Sequence, residues 1–164
     1  MATNVVLVDY ANANHAADLV YLLDSYSRDP MGGSKGLADT VKQNLPSELA
    51  KLPYAFSLLC YADGAAAGLV NCFEAFSTFA CQPLINIHDI VVIEEFRGRG
   101  ISQLLLTKVE AIARQKGCAK LTLEVLAGNA VAQRSYTKFG FSSYELDPEV
   151  GSAMFWQKSL SNAE

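Results

Sequence analysis

The chain has 164 residues, 51% hydrophobic and 18% charged, with a formal net charge of −4. That length gives one domain, 1–164, a sizeable core and leaves too little chain for a second. The composition excludes a disordered chain, and the acidic balance argues against a phosphate-tracking surface, so no nucleic-acid partner is expected.

In chain order, "NVVLVDY" is short and β-rich and reads as a first strand. The opening "MATNVVLVDY" lacks the charged and apolar regions of a signal peptide. No apolar run approaches the roughly 20 residues that span a bilayer. No membrane association is expected, and a cytoplasmic location is.

"NANHAADLVYLLDSYS" sets Ala16, Leu19, Val20, Leu23 and Tyr26 on one helical face, capped by Asn12 or Asn14. "RDPMGGSKG" breaks that helix as a loop, and "LADTVKQNLPSELAKL" predicts a weaker helix interrupted at Pro46. "YAFSLLCYADGAAAGLVNCFEAFSTF" holds two strands around the Asp63-Gly64 hairpin signal. "LINIHDIVVI" is a third strand whose continuous apolarity points to burial on both faces.

Beyond it, a helix over Ser102–Lys116 ends at Gly117, and "AKLTLEVL" alternates as a strand. "NAVAQRSYTKFG" is a helix with Asn129 placed to cap and Gly140 placed to terminate. "FSSYEL" and "SAMFWQKSL" read as two closing strands joined by "DPEVG". The order predicts an α/β fold: a mixed, mostly antiparallel sheet with one parallel β-α-β crossover and about four helices.

Cys60, Cys72, Cys81 and Cys118 form no Cys-x-x-Cys pair and have no histidine at ligand spacing. They read as free thiols, and no metal site is expected.

The chemistry concentrates at "RGRGIS", between the third hairpin strand and the following helix. The first N–H groups of a helix lack intrahelical partners, and the helix dipole adds partial positive charge there. Gly98 and Gly100 let the backbone approach phosphate oxygens, and Arg97 or Arg99 can add charge-assisted bonds. No Lys-Ser/Thr pair follows, as a Walker loop requires, and Gln103 stands where a dinucleotide fingerprint has its third glycine. On spacing alone, a ligand-free turn explains the same residues.

Two patterns together resemble the GNAT superfamily of acyl-coenzyme A-dependent N-acetyltransferases. The first is Arg97, Gly98, Arg99, Gly100, Ile101, Ser102, with serine where the superfamily usually has glycine or alanine. The second is Asn129, Ala132, Tyr136, Gly140 and Phe141. Within that superfamily, "FSTF" followed by "INIHDIVV" resembles the branch of diamine and small-amine acetyltransferases.

The resemblance implies a GNAT fold and acetyl-coenzyme A as co-substrate. Its pyrophosphate would lie on the backbone of Gly98, Arg99, Gly100, Ile101, Ser102 and Gln103. Its pantetheine arm would pair with Ile90, Val91 and Val92. Tyr136 is the matching acid for the departing thiolate and, with Asn129, would also touch the cofactor. The base is left between His88 and Asp89, which strand alternation sends to opposite faces. His88 stands where the diamine branch carries an acidic residue. Glu74 and Glu124 are further candidates for recognising the amine.

The function implied is acetyl transfer to the primary amine of a small molecule, such as a polyamine or amino acid derivative, by a homodimer. A non-catalytic acyl-coenzyme A sensor and a protein or peptide N-acetyltransferase stand beside that reading.

Overall fold

A computed structural model describes residues 1–145, 147 and 149–160. Strand β1 (Thr3–Leu7) leads into helix α1 (Ala13–Arg28), a 3-10 turn at Pro30–Gly32 and helix α2 (Asp39–Ala50). Strands β2 (Ala55–Ala62), β3 (Ala65–Ser77) and β4 (Gln82–Val92) follow. Helix α3 (Ile101–Gln115), strand β5 (Leu121–Leu123) and helix α4 (Ala130–Phe139) complete the order. The sheet runs β1-β2-β3-β4-β5, antiparallel up to β4 and parallel between β4 and β5. This is the expected mixed sheet with a single parallel crossover.

Local chemistry accounts for the element ends. The Asn12 side chain accepts from the N–H groups of Asn14 and His15, so it is Asn12 that caps α1. Asp63 and Gly64 both take positive φ, 49° and 84°, as a two-residue hairpin turn requires. Asn129 Oδ1 accepts from the Ala132 N–H at 3.1 Å, and Gly140 ends α4 in the left-handed region.

The two sheet faces carry two cores. Leu58, Cys60, Val70, Cys72, Ile85 and Ile87 pack against Ile101, Leu105, Leu106 and Val109 of α3. On the other face Leu59, Leu69 and Val91 meet Leu19 and Leu22 of α1 and Leu49 of α2. Both faces of β4 are therefore covered, as its apolar run predicts.

Three expectations are corrected. Pro46 does not interrupt α2, which continues to Ala50. The lost backbone bond is outweighed by Leu45, Leu49 and Leu52 seated in the α1 core. The strand "AKLTLEVL" shortens to three residues, because its ladder to β4 covers only Leu121–Leu123. The closing strands are also not formed among the described residues; Leu146 of the first and Pro148 of the linker lie outside them. What forms instead is one antiparallel bridge, Glu145 to Ser152, with the Ala153 N–H donating to the Tyr144 carbonyl. A strand needs a partner ladder, and Phe155 and Trp156 find none and stay exposed.

Candidate active site

The ladder between β3 and β4 slips by one residue. Asn71 faces Asp89 and Cys72 faces Ile87, leaving His88 as the extra residue of a bulge. Ile87 and Ile90 both join the α3-side core, so both residues between them lie on the α1 side. This corrects the expectation that His88 and Asp89 take opposite faces: a bulge adds one residue and breaks the two-residue alternation. The His88 ring stands edge-on to Phe73, centroids 5.4 Å apart, and is exposed. Asp89 is half-buried and accepts from Asn71 Nδ2 at 2.9 Å.

Beyond the bulge, the Ile93 N–H donates to Ala67 on β3. By alternation Val91 also directs its backbone to β3, while Ile90 and Val92 point the other way. β5 ends at Leu123, so among the described residues no strand meets those outward groups. Of the three residues expected to pair with a pantetheine arm, Ile90 and Val92 offer backbone to the slot, and the Val92 carbonyl already accepts from Arg97 Nε at 3.0 Å.

Arg97 also donates to Asp29 at 2.9 Å, tying the 3-10 turn to the end of β4. The N–H of Met31 and this guanidinium hold the Asp29 carboxyl below the usual carboxylate range. Arg99 instead lies over the Phe96 ring, 5.3 Å from its centroid. Gly98 and Gly100 have φ of 75° and 83°, and a Cβ on either would meet nothing within 4 Å. Among the described residues, the backbone N–H groups from Gly98 to Gln103 have no hydrogen-bond partner, the first intrahelical bond being Leu104 N–H to Gly100. Six open donors beside bare space fit a diphosphate. The side chains of Ser102 and Gln103 face elsewhere: both bond Ser135 of α4, locking the start of α3 to the residue beside Tyr136.

Burial, and then Tyr26, push the Tyr136 phenol up to about 12. Tyr26 escaped the sequence reading except as a face residue of α1. It donates to the Met31 carbonyl, and its phenol is raised by burial and by Asp89 and Asp29, so it stands among the candidate groups. Its signal in the sequence is only a helical period, which core residues share. Glu74 is ion-paired with Lys116 at the end of α3, and Glu124 is exposed. Among the described residues no group of three His, Cys, Asp or Glu side chains is placed to hold a metal ion.

Burial, and then the bond to Asp18, likewise raise the Tyr61 phenol to about 12. Both phenols ionise near pH 10 in the unfolded chain. Above pH 10 the unfolded chain sheds protons that the fold retains, so stability is intact below pH 10 and falls as pH rises towards 12. We expect a loss of about 2 kcal/mol from Tyr136 across that window and a smaller one from Tyr61, whose more exposed phenol is screened by solvent, read from thermal melts against pH. Tyr136→Phe should remove part of the slope; a melting temperature unchanged from pH 9 to 11.5 would refute the assignment.

Comparison with known proteins shows the family. The Acetyltransferase (GNAT) family profile matches residues 15–141. Streptothricin acetyltransferase of Streptomyces lavendulae is 38% identical over 86 residues, 52% of this chain and 43% of that protein. The chain thus spans less than half the length of that relative. An aminoglycoside N(6')-acetyltransferase type 1 of Salmonella typhimurium is 24% identical over 60% of this chain and 70% of its own. The solved structure of AAC(6')-Iy with a bisubstrate analog, CoA-S-monomethyl-acetylneamine, superposes with a TM-score of 0.75 at 20% identity, covering 97% of this chain and 99% of that one. With the profile spanning most of the sequence, the chain belongs to the GNAT acetyltransferase family.

Proposed function

We propose that this protein transfers an acetyl group from acetyl-coenzyme A to a primary amine of a small molecule. The observation that carries this reading is the row of open N–H groups from Gly98 to Gln103, continuous with the bare edges of Ile90 and Val92. Acetyl-coenzyme A supplies an activated thioester. The protein's share is to hold the diphosphate at α3, align the thioester along β4 and manage two protons.

The acceptor nitrogen bonds to the thioester carbon, the carbon–sulfur bond breaks, and its electron pair leaves on sulfur. The Ile90 and Val92 N–H groups are fixed donors for the carbonyl oxygen. Asp89 takes the ammonium proton before attack, the proton that nitrogen releases as the amide forms goes to the leaving sulfur to give the thiol, and Tyr136 donates a hydrogen bond to that sulfur. A phenol near 12 facing a thiol near 8.5 makes complete proton transfer uphill, so Tyr136 acts chiefly as a hydrogen-bond donor that stays neutral at working pH. Tyr136→Phe should lower kcat roughly tenfold to a hundredfold while the Kd of acetyl-coenzyme A stays within about twofold. Equal turnover would reduce Tyr136 to packing.

Acceptors of the kind named for the relatives, aminoglycosides and streptothricin, fit this reading beside polyamines and lysine analogues. Calorimetry with acetyl-coenzyme A, paired with thiol release across that amine panel, tests it. Binding with release on at least one amine is expected; binding without release on any favours the sensor, and no binding ends both readings. We place the protein in the cytoplasm, where four unpaired cysteines suit a reducing medium. A homodimer is supported by exposed Phe155, Trp156 and Leu160, and light scattering on the full chain tests it.

A further inference from the structure

We propose that Tyr10, Ser57 and Asn71 are positioning residues, a directed hydrogen-bond row that holds Asp89 as an oriented carboxylate for acetyl transfer. The inference rests on the function proposed above.

Ser57, Asn71 and Asp89 are direct cross-strand partners on β2, β3 and β4, so they form one line across the sheet. Tyr10 Oη lies 2.9 Å from Ser57 Oγ, Ser57 Oγ lies 2.6 Å from Asn71 Oδ1, and Asn71 Nδ2 lies 2.9 Å from Asp89 Oδ2. The direction is forced from the carboxylate end. An ionised Asp89 only accepts, so the amide nitrogen of Asn71 faces it and the amide oxygen faces Ser57. Ser57 must then donate its single hydrogen to Asn71, which leaves it to accept from Tyr10. Every bond points towards Asp89.

Ser57 is 1% exposed and Asn71 4%, inside an otherwise apolar layer. Two residues along each strand, the equivalent line is Leu59, Leu69 and Val91, all three buried and apolar. That neighbour shows the helical layer needs no polar row to pack. Burying polar groups carries a penalty even when each is satisfied, and this row terminates on the one carboxylate at the bulge. Among the described residues Asp89 has no ion-pair partner. Its charge is held by one neutral donor, Asn71 Nδ2, and stays available to the ammonium of an acceptor. An amide does not pass protons along, so the row orients Asp89 and does not conduct.

Other titratable groups also face Asp89. They are Tyr26 from α1 and His88 on its own strand, while the Cys72 thiol on β3, which burial and then Asp89 raise, lies across the sheet in the α3-side core. At the outer end Tyr10, raised chiefly by burial, lines a cleft of about 590 Å³ between α1 and α2.

The test follows the Asp89 13Cγ resonance of the full chain against pH, alongside the acid limb of kcat/KM with one amine at saturating acetyl-coenzyme A. In Asn71→Leu both should move to higher pH, because a bond that favours the charged carboxylate is lost. Tyr10→Phe and Ser57→Ala should move both the same way by less, and they keep the test alive if Asn71→Leu fails to fold. An active wild type in which neither quantity moves in any row variant overturns the inference. So does a moving resonance with a fixed kinetic limb. A wild type that binds acetyl-coenzyme A and releases no thiol overturns the acetyl-transfer reading itself, and with it the catalytic role of the row.

Discussion

Gly100→Val is expected to weaken coenzyme A binding about a hundredfold. Gly100 sits at φ 83° as the residue before α3, in the region where a β-branched side chain is a true outlier. The open space around its Cβ means no protein atom is struck. The damage therefore comes from two sources. Leaving the left-handed region relieves strain of roughly 1–2 kcal/mol and turns the N–H groups of Gly100 and Ile101 out of line. The new methyls also occupy the open space beside those donors. Bonds to a charged oxygen are worth about 1.5–3 kcal/mol each, so losing one or two gives the stated factor. Calorimetric titration with coenzyme A checks it, and the melting temperature should drop by only a few degrees. An unchanged Kd would place the phosphates elsewhere.

Asp89→Asn should cost turnover most, lowering kcat/KM by about 10²–10⁴-fold, the range of a general base. The substitution keeps an oxygen for Asn71 Nδ2 and changes almost no volume, so fold and acetyl-coenzyme A affinity should hold. The readout is steady-state thiol release beside a Kd for acetyl-coenzyme A. Activity within about threefold of wild type would remove Asp89 from the chemistry and turn attention to His88, its neighbour on the bulge.

Much of the helix-bound part of the site was legible in the sequence, because caps and glycine ends act over three or four residues. Asn12, Asn129 and Gly140 each do what their spacing predicts. The parallel crossover was legible for the same reason, as a strand, a glycine turn and an amphipathic helix in succession. What failed was relational. The bulge at His88 is an offset between two strands and leaves no mark on either one alone. The row from Tyr10 to Asp89 joins residues 47, 14 and 18 positions apart, so only pairing reveals it. "SAMFWQKSL" has strand composition, but composition supplies no partner for its ladder.

Strand β3 acts as the gauge of this fold. A side chain at Gly68 would press to 2.8 Å from Ile101, so the bare backbone there lets the head of α3 settle onto the sheet. Three residues on, Asn71 grips Asp89, and after three more Glu74 fastens the tail of α3 through Lys116. Asp89 and both ends of α3 are thereby referenced to a single rigid element, so any slip of β3 displaces all three in one movement.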